Sequence, residues 1–310
     1  MRRMISIETY RILLMAGICF LHSICQTGHN TVWLANIFEC CVCGFVFISG
    51  YFGIKFSWRK AVGLWVTAFY ASAMFAIIDS IFGNNAFSLV AVYKRSISFW
   101  FLNAYVILMC FAPIINLALD SEKDAGKLGV ICLPIIAVIF GWGFLHTLPF
   151  CDFVPFSEGL CAYGALTLIG IYIVARLYRK FNVGQRIGPI TVFVVMAISI
   201  VCTAMGAGDY NSPFAVLLAA SVFYFFERVD FGNAIVSRIV MVISPSLFSV
   251  YLLHSHSGGF GYMLKLMEYL LGTGVPLLMA YVIVAVVVFS LCLLCDVPRR
   301  LVREIWRKRR

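Results

Sequence analysis

The chain has 310 residues, of which 62% are hydrophobic and only 12% charged, and it carries a formal net charge of +10. With a mean hydropathy of +0.96 and a charged fraction about half that of soluble domains, it is not an ordinary soluble enzyme, and its membrane segments leave no stretch for a separate soluble domain. The positive charge falls where cytoplasmic loops face anionic lipid, so nucleic acid is set aside as a partner.

Apolar runs broken by turn residues predict ten membrane-crossing helices, at roughly 10–26, 32–54, 61–82, 99–119, 127–145, 158–178, 187–206, 213–227, 239–256 and 275–295. The first run follows Arg2 and Arg3 and imitates a signal peptide. It holds His22, lacks a small-x-small cleavage pattern and precedes many further runs, so it is expected to stay as the first span. Residues 84–97 are too polar to cross and are expected to lie at the interface or re-enter. Pro113 and Pro245 are expected to kink the fourth and ninth spans. With the N-terminus placed inside, all of the 24 Lys and Arg except Lys94, Arg95 and Lys265 fall on the cytoplasmic side. The expected fold is therefore an all-α, polytopic membrane protein of about ten transmembrane helices with both termini cytoplasmic. Residues 1–296 form a single transmembrane domain, and 297–310 form a basic cytoplasmic tail facing anionic membrane lipids.

Twelve Cys are present, nearly all inside apolar runs, and Cys40, Cys41 and Cys43 read as small packing residues. None shows zinc-ligand spacing with His, so no metal is expected. Cys151, in an outer loop, is the one cysteine with a position suited to a disulfide.

The chemistry concentrates in the first span. Arg11 and His22 are eleven positions apart. Eleven steps of 100° bring a helix back to nearly the same face, about 16 Å along its axis. One helix thus carries a cation near one membrane surface and an imidazole near the other. Ionisable groups inside a membrane are costly and mark function by default. Glu39, in the second span, lies at a similar depth to His22, and a carboxylate beside an imidazole fixes its tautomer and suits it to act as a base. His22 and Glu39 are the catalytic candidates. On the inner side Arg11, Lys55, Arg59 and Lys60 are candidates for the phosphates of an anionic cofactor. Asp79, Trp100, Asn103 and Tyr105 gather polar and aromatic groups at the outer level and suit a sugar site; His254, inside the ninth span at the depth of His22, is grouped with them as a substrate contact. His29, His146 and His256 fall in loops or at span ends and are expected to be solvated. Gly50 admits either the close approach of a substrate arm or tight helix packing.

Arg11-x10-His22 resembles the first-helix motif of the acyltransferase-3 family of integral membrane acyltransferases. Further stretches resemble that family in the same order. They are Phe45-Val46-Phe47-Ile48-Ser49-Gly50-Tyr51-Phe52, then Trp100-Phe101-Leu102-Asn103-Ala104-Tyr105 with Pro113-Ile114-Ile115-Asn116, then Asn211-Ser212-Pro213, and finally Ser246-Leu247-Phe248-Ser249-Val250-Tyr251-Leu252-Leu253-His254. The resemblance implies a multi-pass protein of the bacterial plasma (inner) membrane. It implies O-acyl transfer, acetyl by default, from cytoplasmic acetyl-CoA to a hydroxyl of a surface polysaccharide or its lipid-linked precursor. It also makes Arg11 and His22 the key pair, with His22 acting either as base or through an acyl-histidine. An oligomer is compatible with it. The rival class, a glycan or small-molecule transporter or flippase, accounts for the spans and the buried polar groups but not for the ordered motifs, and the paired halves with matching broken helices are absent.

Overall fold

The computed structural model describes residues 4–25, 31–82, 87–146, 164–230 and 233–308. His29 and Cys151 lie outside the described residues, as does the side chain of His146. The described residues form helices joined by short connections, with no strand among them. In chain order the helices are α1 (Ile5–Cys25), α2 (Val32–Phe38), α3 (Cys40–Phe52), α4 (Trp58–Ile81), α5 (Leu89–Ser96), α6 (Trp100–Ser121), α7 (Ala125–His146) and α8 (Ala165–Lys180). They continue as α9 (Val183–Arg186), α10 (Pro189–Ala204), α11 (Pro213–Arg228), α12 (Ala234–Ile243), α13 (Leu247–His254), α14 (Ser257–Gly272) and α15 (Leu277–Lys308).

Seven stretches are long and apolar enough to cross a membrane: Ile5–Cys25, Val32–Phe52, Trp58–Ile81, Trp100–Ser121, Ala125–Leu145, Ala234–His254 and Leu277–Ile305. The other three expected spans form α8, α10 and α11, each of 16 residues. At 1.5 Å per residue these reach about 24 Å, short of a hydrocarbon core of about 30 Å. The polar segment before the fourth span forms α5, opened by Ser88, whose hydroxyl accepts from the Ala91 amide at 3.3 Å. Pro245 sits in a single 3-10 turn, Ser244–Ser246, that joins α12 to α13.

The chain divides into two compact units. The first comprises Met1–Tyr10, Thr31–Trp58 and Trp100–Asp230. Its central packing sets α3 on α8 and on α11, with Phe47 of α3 and Phe223 of α11 both fully buried and their ring centroids 5.2 Å apart. Where α3 ends, Gly53 takes a positive φ of 77° and turns the chain out. A closed ring of hydrogen bonds holds that exit. The Ile54 amide donates to the Tyr172 hydroxyl at 2.8 Å, which donates to Asn116 Oδ1 at 2.7 Å, while Asn116 Nδ2 donates to the Ile54 carbonyl at 2.9 Å. A leaving strand of backbone thus has both polar groups satisfied inside an apolar bundle.

The second unit comprises Arg11–Asn30, Arg59–Phe99 and Phe231–Arg310. Here α13 and α14 pack on α15, and the Ser23 hydroxyl of α1 reaches the Tyr281 carbonyl at 3.4 Å. Helix α15 runs unbroken past residue 297, through Pro298, into the basic tail. Beside that proline Asp296 is fully buried and accepts two bonds from Arg299, at 2.6 and 2.9 Å. Arg300 donates to the Val242 carbonyl at 2.7 Å, so the start of the tail is anchored to α12. Beyond it Leu301, Val302 and Ile305 are more than half exposed.

Candidate functional site

Arg11 and His22 share the unbroken helix α1, and both are half-buried. They stand eleven positions apart on that one helix. In the second unit the ring of His22 lies 4.9 Å from that of His254, tilted by 34°, and meets the edge of Phe260 at 5.2 Å. His254 is 1% exposed, at the last turn of α13. Its Nδ1 lies 2.7 Å from the Val250 carbonyl, four residues back. A carbonyl only accepts, so His254 Nδ1 carries the proton, and a neutral His254 has its lone pair on Nε2. Among the described residues that Nε2 has no hydrogen-bond partner, nor has His22 Nδ1, and both atoms are buried. Buried polar atoms are nearly always paired, so two orphans on touching rings need an explanation in function.

Around the start of α14 a second group forms in the same unit. Asp79 accepts from the Tyr262 hydroxyl at 3.4 Å. His256 caps α14 by accepting from the Gly258 amide at 3.1 Å and lies flat on Phe75, with ring centroids 4.4 Å apart and planes 2° from parallel. His256 is therefore buried, which corrects the expectation that it is solvated: the loop assumed there is the N-terminus of a helix, and the imidazole is its cap. Burial, with Arg95 nearby as the smaller cause, lowers its pKa to about 4. The unfolded chain then binds a proton that the folded chain refuses between about pH 6.5 and pH 4, so stability falls as pH drops through that window. His256→Asn keeps a capping acceptor and removes the titration. The expected result is a thermal midpoint that falls less between pH 6.5 and pH 4 than that of the parent, measured on detergent-solubilised protein.

The remaining candidates lie in the first unit, apart from Arg59 and Lys60, which open α4 in the second. Glu39 stands at the junction of α2 and α3, beside Tyr210, with Oε2 buried and unpartnered among the described residues. Trp100 stacks on Tyr210 with ring centroids 5.4 Å apart. Asn103 is half-buried on α6. The Ser49 hydroxyl donates back to the Phe45 carbonyl at 2.9 Å, so in its 3.1 Å contact with Tyr105 it is the tyrosine that donates. Lys55, Arg59 and Lys60 are all exposed.

A polar group that the sequence did not flag closes the end of α3. The Tyr51 hydroxyl donates to Glu227, which also accepts from Tyr178 at 3.3 Å. Arg179 donates to the Tyr51 carbonyl at 2.8 Å and lies over the Tyr51 ring at 5.4 Å. The only sequence signal was the pair of ionisable residues Arg179 and Glu227 near ends of short apolar runs, where positive-inside charge hid them.

Compared with known families, the chain matches a family model described as an acyltransferase domain, of the acyltransferase-3 type, over residues 4–297. No curated protein and no solved structure matches it.

Proposed function

Because the chain belongs to the acyltransferase-3 family, we propose that this membrane acyltransferase moves an acetyl group from cytoplasmic acetyl-CoA to a hydroxyl of a surface polysaccharide or its lipid-linked precursor. The protein is a multi-pass protein of a bacterial plasma membrane with both termini inside, as the distribution of Lys and Arg supports. The single observation that carries the catalytic assignment is the meeting of His22 with His254, both with buried nitrogens lacking partners, on the helix that also carries Arg11. His22 takes the proton from the attacking hydroxyl. The hydroxyl oxygen bonds to the thioester carbonyl carbon, the carbon–sulfur bond breaks, and the proton passes to the departing thiolate. In the second unit Arg11, Arg59 and Lys60 are cations suited to the phosphates of the donor, and in the first unit Lys55 is a further exposed candidate for them. Glu39, in the first unit, keeps one buried oxygen without a partner among the described residues and stays a catalytic candidate. In the first unit Trp100, Asn103 and Tyr105 offer amide and aromatic contacts of the kind a sugar takes, and in the second unit Asp79 offers a carboxylate. The basic tail, with exposed Leu301, Val302 and Ile305, rests on anionic lipid.

The test uses membranes containing the protein, acetyl-CoA labelled in the acetyl group, and isolated surface polysaccharide. Free thiol is expected to appear with label bound to the polysaccharide as alkali-labile ester. Thiol release with label only in water, or no thiol from acetyl or succinyl donors, removes the assignment.

A further inference from the structure

The two unpartnered nitrogens face a problem of proton placement that has one economical solution. His254 Nδ1 is committed to the Val250 carbonyl at 2.7 Å, so its proton is fixed there and Nε2 is left as a bare acceptor. That acceptor is buried, in a residue 1% exposed, and has no donor among the described residues. The neighbouring ring, His22, has a buried Nδ1 that also lacks a partner. The ring centroids are 4.9 Å apart, so turning the His22 ring about its terminal torsion, which is soft, carries its Nδ1 toward His254 Nε2 while His254 keeps its bond to Val250. We propose that His254 is the positioning residue for His22: His22 Nδ1–H donates to His254 Nε2, and this holds His22 in the tautomer whose Nε2 carries the lone pair. The chain of contacts then runs from the Val250 carbonyl through His254 to His22, each proton placed by the group behind it. It is the same logic by which a second group orients the base in a catalytic triad or the imidazole at a metal centre. Phe260, at 5.2 Å edge-on to His22, closes one side and limits how the ring can turn. The proposal rests on the acyltransferase assignment for its meaning in catalysis, though the pairing itself does not.

Two substitutions separate the two nitrogens of His254. Gln places an amide oxygen near the position of Nε2, whereas Asn places its amide near Nδ1 and keeps only the link to Val250. His254→Asn is expected to lower kcat for acyl transfer by about 10–100-fold, with KM for acetyl-CoA unchanged and the thermal midpoint kept. His254→Gln is expected to recover most of kcat. A second readout does not need acyl transfer: the rate at which diethyl pyrocarbonate modifies His22, followed by peptide mass. It should fall in His254→Asn and be restored in His254→Gln. Equal rates in wild type, Asn and Gln by both readouts overturn the pairing. A wild-type protein that transfers no acyl group, yet shows the Asn and Gln difference in His22 modification, overturns the acyltransferase assignment while keeping the pairing.

Discussion

His22→Ala is expected to leave a folded protein whose acyl transfer falls by about 10²–10⁴-fold, the usual contribution of a positioned base. The fold should survive for a specific reason. His22 Nδ1 is buried without a partner among the described residues, so truncation relieves a desolvation cost and gives up at most the one bond proposed to His254. Alanine is also the best helix former, and position 22 lies in the last turn of the 21-residue α1. Apart from its edge contact with Phe260, His22 faces a second orphaned imidazole at 4.9 Å, so the expected loss is of chemistry rather than of fold. The check is membrane expression and thermal midpoint beside labelled-acetyl transfer, on His22→Ala and on His22→Gln. Gln keeps the size and hydrogen-bonding capacity but cannot take a proton at neutral pH, so it should be as inactive as Ala. Transfer by either variant within threefold of wild type removes His22 from the reaction.

Much of this site was legible because a helix has a fixed period. Arg11 and His22 are on one element, and no folding detail beyond 3.6 residues per turn was needed to align them. What single-sequence reasoning could not supply was contact between distant segments. His22 and His254 were expected at a similar depth, but depth alone does not say which helix neighbours which. Short connections favour sequential partners, so the carboxylate of Glu39 stood out for His22, whereas the ring beside it in its own unit belongs to His254. Helix α14 was missed for a different reason. Its first two turns contain Gly258, Gly259 and Gly261, which read as loop residues; burial of Met263 and Met267, four apart, overrides that propensity. The error about His256 followed directly from it. Asn116, noted only as part of a motif, proves to close a backbone exit, a role that no side-chain pattern announces.

Gly50 illustrates a residue whose two sequence-level explanations the packing separates. A Cβ at position 50 would stand 2.7 Å from the Ala175 Cβ and 2.7 Å from the Tyr172 carbonyl oxygen, both on α8. Neither atom is the end of a flexible side chain, so relief requires α3 and α8 to move apart. That movement would also pull on Tyr172, whose hydroxyl joins Ile54 to Asn116. Gly50→Ala is therefore expected to cost about 1–3 kcal/mol, as overpacking usually does, and Gly50→Leu is expected to prevent recovery of monodisperse protein. Ala175→Gly placed beside Gly50→Ala removes one of the two collisions and should restore part of the thermal midpoint. The measurement is fluorescence-detected size exclusion after a temperature ramp, with specific activity scored per folded molecule. A drop in midpoint at constant KM for acetyl-CoA assigns Gly50 to helix packing. An unchanged midpoint with a raised KM would instead assign the missing side chain to the path of the substrate arm, and the close approach of α3 to α8 would then need another cause.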